Sequence, residues 1–211
     1  MAQVLKPEVR ARIEAAALAC FARYGYEGTT MARIAAAAET ATANVYRYVD
    51  SKEALFAVVV PADLPVRHDA LLDARIETLG ARAATAGSAA GELLDFWLAH
   101  RLAMVVLLDR AEGTPYADYP ATFVARLVDH SERLLDVPLS SVHREILTLV
   151  FDNTRRALAR ILMSGNDAEH VGDLVRAFWS YQLPGLDGLL DFIRAERSHP
   201  NLGDHAIRAR S

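Results

Sequence analysis

Apolar residues in this chain return every third or fourth position, and in no segment do they alternate. From Glu8 to Tyr24 the positions Val9, Ile13, Ala16, Ala17, Cys20, Phe21 and Tyr24 form one stripe, the mark of a helix with a buried face. Helical segments are also expected at about 66–85, 88–111, 116–136, 140–163 and 167–193. Gly87, Gly113 to Pro115, Val137-Pro138 and Ser164-Gly165-Asn166 separate them. No hairpin dipeptide lies between alternating runs, so the expected fold class is all-α.

Between the first helix and the larger ones lies a stretch of a different grain, from Thr29 to Phe56. Thr29 and Thr30 carry hydroxyls able to cap a helix opening at Met31, on which Met31, Ile34, Ala35 and Ala38 share a face. A second short helix, about Thr42 to Tyr48, turns Val45 and Val49 inward and Thr42, Asn44, Tyr46 and Arg47 outward. Ser51 caps a third, apolar segment carrying Leu55, Phe56, Val58 and Val59, and a break is expected between 60 and 65, where Pro61 and Pro65 stand. Small alanines at 35–38 let the three head helices pack closely around Ile13, Phe21, Ile34 and Val45. Two short helices at such a turn are the usual means of laying one of them in a DNA major groove while its partner crosses the backbone.

The blocks Gly25-Tyr26, Thr29-Thr30, Ile34-Ala35, Tyr46-Arg47-Tyr48 and Ser51-Lys52-Glu53 with Leu55-Phe56 stand in a definite order and spacing. In these blocks the first quarter of the chain resembles the TetR/AcrR family of bacterial transcription regulators. The resemblance implies a helix-turn-helix DNA-binding domain at 1–56 and a helical ligand-binding and dimerisation domain at 57–211. It also implies a near-palindromic double-stranded DNA operator, a small-molecule effector, a homodimer and, most often, a repressor. Tyr46 and Lys52 match family positions that touch phosphate, and a phenolic donor and a flexible ammonium suit that task. Thr30 offers a phosphate its hydroxyl and a helix start. Thr42, Ala43, Asn44 and Arg47 stand where base edges or nearby phosphates would lie; Asn pairs with adenine and Arg with guanine. Tyr48 either joins them or packs beside Val45. Where the family usually has Gly and Ser, this chain has Glu39 and Ala41, leaving Thr40 or Thr42 to cap the second short helix.

Charge alone makes no case for nucleic acid. Residues 1–56 hold seven Lys or Arg and six Asp or Glu, a net +1, against −5 for residues 57–211, so any DNA contact depends on a few placed groups. Early cations Arg10 and Arg12 lie off the apolar stripe, either in solvent or within reach of a phosphate. The single cysteine, Cys20, excludes an intramolecular disulfide and reads as core filler. No apolar run approaches the roughly 18 residues of a membrane span, and no leader is apparent, so a cytoplasmic protein without a membrane partner is expected.

With 211 residues, 52% of them hydrophobic, the body can bury a sizeable core. On consecutive segments Phe96, Trp97, His100, Met104, Tyr116, Tyr119 and Phe123 gather aromatic walls with a few polar tips, the composition of a small-molecule pocket as well as of an ordinary core. Asp109, Met163, Trp179, Tyr181 and Gln182 are further candidates. The last two segments are apolar on more than one row, and Ile146, Val150, Phe151, Val171, Leu174 and Phe178 are the expected dimer contacts. The seven His show no metal-binding spacing, and neither a phosphate loop nor a nucleophile elbow occurs; no catalytic residue, metal or cofactor is expected. The alternative to a regulator is a dimeric helical ligand- or partner-binding protein with a degenerate head.

Overall fold

The computed structural model describes residues 6–78, 86–136, 138–165 and 167–198. Their regular structure is helical throughout: α1 Pro7–Tyr24, α2 Met31–Ala37, α3 Thr42–Val45, α4 Lys52–Val59, α5 Asp63–Glu77, α6 Ala86–Ala99, α7 Arg101–Asp109, α8 Tyr119–Leu135, α9 Ser141–Met163 and α10 Ala168–Ser198. Helices α1 to α3 make a helix-turn-helix head, α4 leads out of it, and α5 to α10 form the larger body.

Local chemistry sets most of these boundaries. Pro7 opens α1, and Gly25 closes it at φ 72° with its N–H on the Phe21 carbonyl. The hydroxyls of Thr30, Ser51 and Ser140 accept from the N–H of Arg33, Ala54 and His143, capping α2, α4 and α9.

Four expectations change. The second short helix ends at Val45 instead of Tyr48, because the bonds tighten: Arg47 N–H reaches back only to Asn44 and Tyr48 N–H only to Val45. The break after α4 spans 60–62, since Pro65 sits in the first turn of α5, where no backbone N–H is needed. The segment at 88–111 is two helices, parted at His100 (φ −113°, ψ 25°), so the body has six helices and not five. This break lets α7 cross the middle of the molecule, where Ala103 to Leu108 are all buried and α1, α8 and α9 pack against it. Finally, α10 runs through Pro184 and past 193 to Ser198; residues 199–211, and residues 79–85, lie outside the described residues.

Head and body share one continuous core. Ile13, Phe21, Ile34 and Val45 are fully buried in the head, and Cys20 is buried beside them. The Phe56 ring, stacked edge-on to Phe21 at 5.2 Å, reaches Tyr116 of the body at 6.2 Å. At this seam Gly113 takes φ 73°, which disfavours a side chain, and an added Cβ would lie 2.9 Å from the Glu27 side chain, which would have to shift.

Polar clamps fix the body helices. The Tyr119 hydroxyl donates to Asp69 at 2.7 Å and lies 2.6 Å from Nδ1 of His68; Arg126 of α8 meets Asp73 at 2.7 Å and Asp69 at 2.9 Å, both on α5. Arg155, 7% exposed, joins α9 to α7 through the Leu108 carbonyl and Asp109. No helix among the described residues is long and apolar enough to cross a membrane.

Candidate nucleic-acid interface

The short helix α3 is held from below by Val45, which has no exposed surface, so its other side chains face outward by geometry. Tyr46 is 51% exposed; Ala43, Arg47 and, at the start of α2, Thr30 are also exposed, while Thr42, Asn44 and Tyr48 are half-buried. Asn44 donates to the Thr40 hydroxyl at 2.8 Å, which orients its amide. Tyr48 packs against the core and its hydroxyl accepts from the Lys6 N–H at 3.2 Å.

The turn before α3 forms without the residues expected there. Glu39 adopts φ 51°, and Glu39 and Thr40 N–H groups bond back to the Ala36 and Ala35 carbonyls. A glutamate thus takes the left-handed position at a cost of about 1 kcal/mol. The N-cap of α3 is Ala41, with no side-chain cap, so neither Thr40 nor Thr42 supplies the missing hydroxyl; that of Thr40 is held by Asn44.

Most head cations are tied to the head itself. Arg12 donates to the Ala38 carbonyl at 2.8 Å, closing the C-terminal end of α2, and Arg10 pairs with Glu14 at 2.9 Å. Arg33 meets the Gly28 carbonyl at 2.6 Å and lies 4.2 Å above the Tyr24 ring. Lys52 places its ammonium 2.9 Å from the Tyr26 carbonyl, 3.2 Å from that of Thr29 and 4.1 Å from the centre of the Tyr26 ring. The Tyr26 hydroxyl donates to Glu53 at 2.8 Å, and burial first, then this bond, pushes the phenol up to about 12. The family resemblance singled out Lys52 for phosphate but gave no role to Tyr26 or Arg33, whose partners, the Glu53 carboxylate and the Gly28 carbonyl, have no signature of their own.

Residues 13–59 match the family described as bacterial regulatory proteins, tetR family. The head is a tetR-family head. Two solved structures are similar to the chain over most of its length. A TetR-family transcriptional regulator from Bordetella parapertussis is 22% identical, covering 82% of this chain and 94% of that one at a TM-score of 0.48. Another from Streptomyces coelicolor is 20% identical, covering 98% and 97% at a TM-score of 0.41. No curated protein sequence matches. The tetR-family head is a DNA-binding element of transcription regulators.

Behind the tetR-family head, the body encloses a cavity of about 380 Å³ among α5, α6, α8, α9 and α10. Of the seven expected pocket residues, only Trp97 and Phe123 line it. Phe96, Met104 and Tyr119 are buried in the core, Tyr116 sits at the seam against Phe56, and the His100 ring lies 4.6 Å from that of Phe96. Trp179 and Gln182 do line it, whereas Asp109 is engaged by Arg155 and Met163 and Tyr181 are exposed. Phe151 and Val171, expected at a dimer contact, have 4% and no exposure: Phe151 belongs to the cavity wall and Val171 to the core, so neither has surface to offer a partner. Ile146 is exposed, and Val150, Leu174 and Phe178 are half-buried. Val142, Leu149 and Phe192, not singled out from sequence, leave large apolar area exposed on α9 and α10 beside Tyr181.

Next to the cavity, His68 is fully buried, and burial with the nearby Arg126 charge lowers it to about 3, so it is neutral. Because Tyr119 gives its proton to Asp69, His68 donates from Nδ1, and its Nε2 has no partner among the described residues; nor has the indole N–H of Trp97. Among the described residues no group of His, Cys, Asp and Glu is placed to hold a metal.

Proposed function

We propose that the protein is a homodimeric, ligand-responsive transcription regulator, acting as a repressor that a small molecule releases from a near-palindromic operator. Residues 1–56 are the DNA-binding domain and 57–211 the ligand-binding and dimerisation domain of a cytoplasmic protein that catalyses nothing. The observation that carries this reading is a tetR-family head, its outward face over Val45 open, joined through an unbroken core to a body that contains a cavity.

In this reading Thr42, Ala43, Asn44 and Arg47 face base edges while Thr30, Tyr46, Tyr48 and Lys52 meet phosphates. The exposed apolar sides of α9 and α10, with Ile146, Val150, Leu174 and Phe178 among them, pair with those of a second copy. That pairing holds two recognition helices about 34–36 Å apart, or a multiple, to suit successive major grooves. A ligand favouring a different head separation lowers DNA affinity by its difference in binding between the two states, and α4 with the 60–62 break transmits the change.

The test is fluorescence anisotropy with the DNA upstream of the protein's own gene, at several salt concentrations. The reading expects a saturable complex at low salt that random DNA does not match and that Tyr46→Ala weakens. A protein that forms no specific complex even at low salt is instead the dimeric ligand- or partner-binding protein.

A further inference from the structure

The cavity wall is apolar apart from four side chains, Arg75, Thr154, Arg176 and Gln182. Three of these are matched inside the protein. Gln182 donates to the Thr154 hydroxyl at 2.8 Å, which in turn donates to the Val150 carbonyl, and Arg176 meets Asp173 at 2.6 Å. Arg75 is different. It is half-buried, its side chain donates to the Thr78 hydroxyl at 3.2 Å, and among the described residues it has no other side-chain partner and no carboxylate. The chain that follows, 79–88, contains no Asp or Glu either. Burial accordingly works against its positive charge.

A guanidinium with unmatched donors, set in an apolar wall, is compensated by an anion that brings its own apolar body. A neutral apolar guest leaves the charge desolvated and unanswered, and a cation adds repulsion. We infer that the cavity binds an amphipathic anion, its acid group on the Arg75 guanidinium and its apolar part against Trp97, Phe123 and Trp179. The inference rests on the reading of this cavity as the effector site and adds the chemical class of the effector. Carboxylate, sulfonate and phosphate heads share the chemistry that Arg75 recognises.

The molecule contains its own reporter. It has two tryptophans, Trp97 and Trp179, and both line the cavity with their rings 6.3 Å apart. Decanoate, decanol and decyltrimethylammonium, each titrated into the full-length protein below its micelle concentration, are compared through tryptophan emission. Decanoate should saturate the signal at a concentration about 10-fold below decanol, with the ammonium weakest. Arg75→Gln should bring decanoate to the affinity of decanol without changing decanol, and Arg75→Lys should keep the preference, which also guards against a folding defect in the first variant. Equal binding of decanoate and decanol, or an Arg75→Gln loss shared by both, overturns the anion inference while leaving a ligand cavity. No saturable change with any of the three probes removes the effector site itself, and the inference falls with it.

Discussion

The cations of the head and Arg75 of the body are used in opposite ways. In the head, Arg12, Arg33 and Lys52 lie on the carbonyls of Ala38, Gly28, Tyr26 and Thr29, so positive charge closes helix ends and holds the turn between α1 and α2. In the body, Arg75 stands at an apolar cavity with no carboxylate partner among the described residues. Net charge therefore says little about what either part binds. The head presents an outward face whose setting is held by its own hydrogen bonds, and the body holds a charge that the proposed guest would answer.

This contrast can be tested from the largest effect downward. Val45→Asp puts a carboxylate where no surface is exposed and should cost on the order of 5 kcal/mol, ending DNA binding. Both tryptophans lie in the body, which shares one core with the head, so their emission should lose its folded maximum in urea in the same transition as the circular dichroism of the helices. Emission that keeps its folded maximum after part of the helix signal has gone would instead make the body a separate cooperative unit. Acid comes next. His68 has a folded pKa lowered to about 3 against an ordinary 6.5, so its contribution is complete above pH 6.5 and is lost as pH falls from 6.5 towards 3. That loss is on the order of 3–5 kcal/mol; burial shifts His100 and His130 in the same direction. Urea denaturation across this range should show the slope, and His68→Phe should flatten it.

Lys52→Ala should remove about 2 kcal/mol of stability together with DNA affinity, because its ammonium supports two carbonyls. Tyr46→Ala should leave the melting temperature in place and weaken DNA binding by about 1 kcal/mol, similarly on all sequences. Equal stability losses in the two variants would erase the distinction between scaffold and reading face. Smallest is Glu39→Gly, which relieves the left-handed residue and should raise stability by roughly 0.5–1 kcal/mol, with tighter DNA binding once a negative charge has gone.

The head was legible because its signals are local. A hydroxyl at Thr30 or Ser51 caps the residues that follow it, and the position of Val45 on a short helix decides which neighbours face out. Glu39 shows the limit of such reasoning, since the surrounding bonds hold a residue that the turn does not favour. In the body the deciding facts are tertiary. Helix α9 carries two apolar rows, and their sequence does not say that Leu147, Phe151, Leu158 and Leu162 turn to the body's own core while Val142, Ile146 and Leu149 remain exposed. No Gly or Pro marks the break at His100, which follows from the need of α7 to be covered on every side. Arg75 belongs to no apolar pattern, so periodicity passes over the residue that distinguishes the cavity.

The bracket made by Lys52, Tyr26 and Glu53 ties α4 to the head. With the lysine resting on two carbonyls of the α1–α2 corner and the glutamate holding the tyrosine hydroxyl, the first turn of α4 is bolted to that corner. In the proposed ligand response, torque along α4 would swing the whole trihelical unit as a stiff lever, a small rotation at its root becoming a larger sweep at the tip where Tyr46 stands.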